Sequence, residues 1–496
     1  MSNNKNQGSF RNIVKVRMIL VSMLLFLFAV SLIARLADLQ IVQHEVLLEK
    51  SEKQPHHGSL KTYLGRGIIF DRNGNELATN LKVESVFVIP QEVRDRKYTS
   101  KLLAFALNQN YNRIYRELSS GKKFVWIKRK ASTDEIASLK KLALSGVRFR
   151  SEQKRFYPKR ELAANVIGFV GTDDLGLAGI EYMYQEKLKG MVYSQPIEQD
   201  GKGGKIQALG NFSRSKLGNY DLMLTLDEVI QFNAEYHLKS QVEKYKADSG
   251  IAVVMDPNSG EIYAMANVPQ FNPNNFNEFT PESRKNNSVV SSYEPGSIFK
   301  PIVAAAALDR GVAKPHDKFF CENGNFKIGG MQIGEASNHR FGFLTMREII
   351  SESSNIGAIK IAQKLGKDTF YEYILRFGFG QKSGIHLPGV SSGLLGKKQG
   401  WTSFSLASIS FGQGIAVTPL QMVAALSAIA NGGTLMEPHI TKALMRDGRV
   451  VKEIKPKTIR RVVSEKTSRQ MMEILKLAVK KGTGGKAAID GFDVAG

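Results

Sequence analysis

The sequence predicts an α+β protein held on a single N-terminal membrane helix, with a mixed domain over 37–220 and a second α+β domain over 221–496. Three observations carry the prediction. An uncharged apolar run, Met18 to Ala34, follows a polar, basic start. A strand, a helix and a hairpin follow one another over 222–267. An alanine-rich helix, Ile302 to Leu308, opens on a serine and a lysine three residues apart, Ser297 and Lys300.

Composition bounds the rest. At 496 residues the chain has room for two or three domains. Its hydrophobic and charged fractions, 42% and 23%, are those of a globular chain rather than a disordered one. The formal charge of +23 calls for a polyanionic partner or a basic solvated surface. The basic residues are spread along the chain, with no arginine-rich block and no nucleic-acid motif. Membrane or cell-wall polyanions therefore fit better than nucleic acid, which is not expected as a partner. The single Cys321 excludes an internal disulfide.

In chain order, 1–17 is a cytoplasmic tail with Lys5, Arg11, Lys15 and Arg17, and 18–36 is the transmembrane helix. At about 1.5 Å per residue the run nearly crosses a hydrocarbon core of about 30 Å. Positive charge on its N-terminal side places the N-terminus in the cytoplasm and the bulk of the chain outside. A small-x-small site at Ala29-Val30-Ser31 is overrun by further apolar residues, which favours an uncleaved anchor. Leu36 to Gln54 reads as a juxtamembrane helix. In Gly65 to Ala78, Asn73-Gly74 is a hairpin turn between two short strands. Arg155-Phe156-Tyr157-Pro158 and the Gly176 to Glu181 stretch are landmarks without an evident chemistry, and Lys202 to Lys205 reads as a hairpin tip.

The second domain opens with a strand from Leu222 that ends at Asp227, a helix cap, and a helix from Glu228 to Tyr245 follows. Strands Gly250 to Met255 and Glu261 to Asn267 flank the turn Asp256 to Gly260. Further on, Ser353-Ser354-Asn355 breaks a helix between Ser351 and Ile356. Phe411 to Ile415 and Thr418 to Gln421 lead into a helix ending at Ala430, with Asn431-Gly432-Gly433 as its cap. A last helix is expected over Ser468 to Val479.

The chemistry sits at Tyr293-Glu294-Pro295-Gly296-Ser297-Ile298-Phe299-Lys300-Pro301. Residues i and i+3 share a helix face, so the Lys300 amine can reach the Ser297 hydroxyl. Serine needs a nearby base to become a nucleophile, and a lysine serves if its surroundings lower its pKa. Taken alone, such a pair is more often two solvated side chains on one helix turn. None of the eight histidines sits in a recognisable motif, so a Ser-His-Asp arrangement has no support. No cofactor is expected.

The ordered set GRGIIFDRNGNELA, RFYP, GLAGIE, LTLD, YEPGSIFKP, SSN, FGQGI, VTPLQ and IANGG resembles the class B penicillin-binding proteins, the membrane-anchored D,D-transpeptidases of bacterial cell-wall synthesis. The resemblance runs from the anchor to the last residue. It implies a pedestal or dimerisation domain within 37–220. It implies a transpeptidase domain over 221–496, whose antiparallel sheet lies between helical clusters. It implies Ser297 as nucleophile, Lys300 as general base, Ser353 as proton relay and Asn355 as a hydrogen-bond partner of substrate and of Lys300. The substrates implied are peptidoglycan stem peptides ending in D-Ala-D-Ala, and β-lactams would acylate the same serine. The chain is most similar to the septal, cell-division branch, with an elongation role as the alternative. The Glu-Asp-x-x-Phe-x-x-His signature of glycosyltransferase-bearing relatives is not found, so a polytopic glycosyltransferase and other division proteins of the bacterial cytoplasmic membrane are the implied partners.

One departure stands out. The family's third motif, Lys-Thr-Gly, directly follows a Val-Ala-Gly, and this sequence ends at Val494-Ala495-Gly496. Lys481-Gly482-Thr483-Gly484 has the wrong order and matches the glycine-rich turn before that motif. The sequence thus reads as truncated before the third element, with an unpaired hairpin edge and an incomplete sheet. The competing classes are a non-catalytic division scaffold, whose cellular role would survive Ser297→Ala, and a β-lactamase or β-lactam sensor, which chromogenic cephalosporin turnover would reveal. A chain ending at Gly496 is expected to be poorly stable or inactive. Efficient labelling of Ser297 by a fluorescent penicillin in the 496-residue form would overturn that expectation.

Overall fold

The computed structural model describes residues 5–53, 57–199, 205–208 and 219–496. The chain divides into two compact units, Met1–Tyr63 with Val192–Ser213, and Leu64–Met191 with Arg214–Gly496. The first holds helix α1 (Lys5–Ala37), which therefore begins inside the polar tail. Its side chains from Val14 onward are exposed. Among the described residues it is the one helix long and apolar enough to cross a membrane. An irregular turn, Asp38–Val42, and a helix, His44–Lys53, follow in the juxtamembrane stretch. The expected hairpin tip at 202–204 lies outside the described residues.

The second unit begins with the stretch read from the sequence as a hairpin around Asn73-Gly74. Strands β1 (Ile69–Phe70) and β2 (Glu76–Val88) pair antiparallel around Gly74, whose φ is +91°. Helices α2 (Arg96–Leu107) and α3 (Tyr111–Leu118), strand β3 (Val125–Ala131), helix α4 (Thr133–Leu142) and strand β4 (Val147–Phe156) complete a two-layer body. Val86, Val88, Val125 and Ile127 of the strands bury against Leu103, Leu107, Ile114 and Ile136 of the helices.

Behind this body lies a buried ion-pair network. Glu181 receives Arg66 Nε at 2.5 Å and Arg155 Nε at 2.6 Å, and all three side chains are almost fully removed from solvent. Arg66 also donates to the carbonyls of Asp174 and Glu181 and to Gln185 Oε1. Tyr157 donates to Glu181 at 3.3 Å, and burial next to that carboxylate pushes its hydroxyl pKa well up. The three landmarks GRG, RFYP and GLAGIE thus meet at one carboxylate.

A second buried carboxylate, Asp71, ties this body to the start of the second expected domain. It accepts from the amides of Asn73 and Asn75 and from the Glu228 amide at 3.2 Å. That last bond holds the start of helix α5 (Glu228–Tyr245), after strand β5 (Asp221–Leu224). Asp227 caps α5 through the Val229 and Ile230 amides, as the sequence predicts. Strands β6 (Gly250–Met255) and β7 (Ile262–Val268) pair antiparallel as the expected hairpin and pack on α5. Arg72 stacks on Tyr263 of β7 at 4.2 Å. Within the described residues the hairpin is a two-stranded sheet, so the outer edge of β6 is unpaired.

The remaining core is helical. Helix α6 (Lys300–Asp309) is buried from Lys300 through Leu308. It packs against α7 (Met346–Ser351), α8 (Asn355–Leu365) and a long C-terminal helix, and α9 (Pro419–Ala430) joins the same core. Its alanines leave room for neighbouring helices to approach closely. Strands β8 (Thr441–Arg446) and β9 (Arg449–Glu453) precede helix α10 (Glu465–Lys481). α10 starts before the expected Ser468, because Ser464 serves as its N-cap by accepting from the Thr467 amide. A seven-stranded sheet runs β9-β8-β5-β1-β2-β3, with β4 also on β2. It is therefore built from three separate stretches of the chain.

The network at Glu181 yields a stability prediction. Glu181→Gln leaves two buried guanidinium groups without their counter-charge. Breaking a buried pair in this way costs about 3–5 kcal/mol. A large drop in the thermal unfolding midpoint is expected, and a shift within error would contradict the role given to this carboxylate.

Candidate active site

The Ser297–Lys300 pair sits on a 3₁₀ turn, Gly296–Phe299, that runs into α6. The sequence alone places it on α-helix. The tighter turn serves the pair better, because side chains at i and i+3 eclipse in a 3₁₀ helix. The Ser297 carbonyl accepts from the Lys300 amide, so Pro301, which has no N–H, leaves no acceptor stranded there. Gly296 has φ +61°, and its amide donates to the Gly412 carbonyl at 3.0 Å. A Cβ at Gly412 would sit 2.1 Å from the Gly296 carbonyl oxygen, so FGQGI fits the PGS turn only as glycine. Glu294 accepts from the Gly414 amide at 2.8 Å, and Tyr293 exchanges two backbone bonds with Val417.

Ser297 is exposed while Lys300 is 2% exposed. The Lys300 Nζ lies 3.1 Å from Ser297 Oγ, 3.0 Å from Ser353 Oγ and 2.5 Å from the Ser353 carbonyl. An ammonium has three donors, and these are three acceptors. Burial lowers the Lys300 pKa from 10.5 to about 8, and the nearby Glu335 carboxylate opposes part of that fall. Ser353 occupies the left-handed region with φ +57°, a conformation few non-glycine residues adopt. That backbone turn presents both its carbonyl and its hydroxyl to one amine.

The SSN triplet divides its work. Ser354 is the N-cap of α8, accepting from the Gly357 amide at 2.9 Å, so the ordinary capping role belongs to the middle residue. Asn355 donates through its side chain to the Gly334 carbonyl at 3.1 Å and makes no hydrogen bond to Lys300. The structure therefore brings Ser297, Lys300 and Ser353 together and leaves Asn355 at their edge. The KGTG stretch also finds its place: the Thr483 amide donates to the Ser351 carbonyl, two residues before the triplet.

Sequence reasoning missed Glu335. This buried carboxylate accepts from Ser354 Oγ at 2.6 Å, from the Asn355 amide at 2.6 Å and from the Ile356 amide at 3.4 Å. It sits where a helix N-terminus favours negative charge. A lone acid nineteen residues before Ser354 carries no sequence signal. Ser297, Lys300 and Ser353 line a cavity of about 580 Å³, together with Met255 of the hairpin, Leu426 of α9 and Met472 of α10. Among the described residues no cluster of three or more metal-binding side chains is present. The geometry suits a serine nucleophile with a neutral amine as its base.

The description "Penicillin binding protein transpeptidase domain" matches residues 250–496, and "Penicillin-binding Protein dimerisation domain" matches 61–224. The chain is 36% identical to Stage V sporulation protein D of Bacillus subtilis over 492 residues, covering 97% of this chain and 76% of that protein. It is 32% identical to the peptidoglycan D,D-transpeptidase FtsI of Escherichia coli, covering 99% and 82%. Among solved structures it is similar to penicillin-binding protein 3 of Mycobacterium tuberculosis in its apo form. There the TM-score is 0.64 at 27% identity, over 87% of this chain and 80% of that one.

Glu335→Gln tests the missed carboxylate. Its charge raises the Lys300 pKa, so its loss moves the Lys300 titration to lower pH. The new amide N–H₂ also faces donors, which costs about 1–3 kcal/mol of stability. A carbon-13 titration of the Lys300 Cε and a thermal melt read the two effects. An unmoved titration would break the electrostatic link between Glu335 and Lys300.

Proposed function

This chain belongs to the class B penicillin-binding protein transpeptidases, and from that premise we propose that it cross-links peptidoglycan stem peptides through an acyl-enzyme on Ser297. The observation that carries the proposal is a buried lysine amine 3.1 Å from an exposed serine hydroxyl. With a pKa of about 8 rather than 10.5, the neutral fraction of Lys300 at pH 7 rises from about one in 3000 to about one in ten. A base poised near the working pH is what proton abstraction needs.

In the forward step, neutral Lys300 takes the Ser297 proton as Oγ attacks the penultimate D-Ala carbonyl of a stem peptide. The Ser297 backbone N–H donates to the developing oxyanion, a contribution typically worth about 3 kcal/mol. Ser353 passes the proton from Lys300 to the leaving D-Ala amine, as the peptide bond breaks and the ester forms. An amino group of a neighbouring stem then attacks the ester, and its proton returns by the same route to Ser297. A β-lactam ring opens on the same serine and leaves a slowly hydrolysed ester. Asn355, whose side chain donates to the Gly334 carbonyl, would bind the substrate backbone rather than the amine.

We assign the reaction to septal wall synthesis, because the short region before the catalytic domain resembles the division branch. The basic residues in the first turns of α1, Lys5, Arg11, Lys15 and Arg17, support an N-terminus in the cytoplasm of a bacterial inner membrane, with the catalytic domain outside. Division-associated membrane proteins, including a polytopic glycosyltransferase, are the partners this reading implies.

Covalent labelling by a fluorescent penicillin tests the mechanism in the protein carried on through the Lys-Thr-Gly element that the resemblance implies, each variant being compared with the unsubstituted form. Ser297→Ala is expected to abolish the label. The labelling rate should rise with pH through about 8 and then level, since below that pH Lys300 is an ammonium and cannot accept a proton. Label retained by Ser297→Ala would refute the assignment of the nucleophile, and a flat rate between pH 6 and about 9 that of the base.

A further inference from the structure

A second cavity, of about 330 Å³, shares no lining residue with the one at Ser297. It opens where the two domains of the chain meet. Tyr184 and Lys187 come from the range matched to the dimerisation domain, and the other walls come from the transpeptidase range. Its floor is apolar, built from Pro438, Ile440, Leu444 and Ile454, of which Ile440 and Leu444 are buried. Its rim is basic, with Lys187, Lys452, Lys455, Lys457, His386 and His439.

The charges on that rim are not neutralised locally. The one acid in the lining, Glu437, is already paired with Lys457 at 2.7 Å. Glu453 follows Lys452 on β9 and, by strand alternation, points to the opposite face. Lys187, Lys452 and Lys455 have no carboxylate within ion-pair distance among the described residues. Three uncompensated ammonium groups around one small opening repel one another unless an anion joins them. His439 adds a further sign: its Nε2 is buried without a hydrogen-bond partner, and buried polar atoms are rarely left so.

We propose that this cleft binds a phosphate group carried on an apolar stem. Lys187, Lys452 and Lys455 would contact the phosphate oxygens, as charge-assisted bonds to phosphate are the strong kind. The apolar floor would take the first carbons of the stem, which a free inorganic anion leaves bare. Because the walls come from both domains, an occupant fastens the transpeptidase body to the Tyr184–Lys187 turn. The assignment is independent of the chemistry at Ser297.

The test uses the full chain in nanodiscs of phosphatidylcholine. The probes are dihexanoyl phosphatidic acid, inorganic phosphate and dihexanoyl phosphatidylcholine, titrated by calorimetry. Saturable binding of the phosphatidic acid is expected, with inorganic phosphate weaker and phosphatidylcholine silent. The triple variant Lys187→Gln, Lys452→Gln, Lys455→Gln should lose at least about tenfold in affinity, since it removes every charge-assisted contact. A control triple variant of exposed lysines elsewhere, Lys97→Gln, Lys101→Gln, Lys123→Gln, should lose nothing. Absence of binding, or equal loss in both triple variants, overturns the site. Equal affinity for inorganic phosphate overturns the apolar half of the assignment.

Discussion

The structure turns on the removal of one amine from water. Lys300 is the first residue of a helix that is buried along its length, and no neighbour of opposite charge compensates its ammonium in contact. A charged group in such a place gives up its proton more readily. The three oxygens around Nζ then hold the amine in place rather than its charge. Everything nearby serves that arrangement: the alanines of α6 admit close helix packing, and the glycines of the PGS and FGQGI stretches fit backbone against backbone. The left-handed turn at Ser353 spends conformational strain to aim two oxygens at one nitrogen.

A basic amine cannot hold its geometry unless the frame around it is stiff. The described body supplies this with buried carboxylates at its seams. Glu181 gathers Arg66 and Arg155 from landmarks 115 and 26 residues away. Asp71 fastens the DRNG turn to the start of α5. Glu235, also on α5, accepts from the Ala163 amide and from Gln231 and Gln270, joining α5 to the segment after β4 and to the segment after β7. Burial raises its pKa, although three donors resist that rise. Each of these acids accepts three or four hydrogen bonds, and a well-satisfied buried network rigidifies rather than destabilises.

Local signals were legible in the sequence wherever chemistry and spacing coincide. Asp227 before α5, Thr418 with Gln421 before α9 and the Asn73-Gly74 turn all carry their own mechanism, and the structure shows them as read. The Ser297–Lys300 pair was visible for the same reason, since two residues three apart on one helical face need no tertiary context. What escaped were relations across long separations. Glu335 touches the SSN triplet only because a hairpin at Asn325–Gly334 brings it there. Arg66, Arg155 and Glu181 were recognisable as landmarks, yet nothing in their own segments says that they share a site. α10 starts before the expected Ser468 because Ser464 caps it, and Asp309, far off in sequence, holds that cap by accepting from the Ser464 amide.

Ser353 and Ser354 show why residue identity alone could not divide the triplet's labour. Both are serines beside one helix start, and either could cap it. The αL turn at Ser353 settles the matter, because it directs that side chain away from the helix axis and toward Lys300. Ser354 then has the extended backbone that an N-cap requires and takes the Gly357 amide. Glu335 binds the capping Ser354 rather than Ser353, so its negative charge steadies α8 without touching the amine. Desolvation can therefore lower the Lys300 pKa while the same carboxylate, kept one residue away, limits the fall. The balance leaves an amine that is partly neutral at neutral pH.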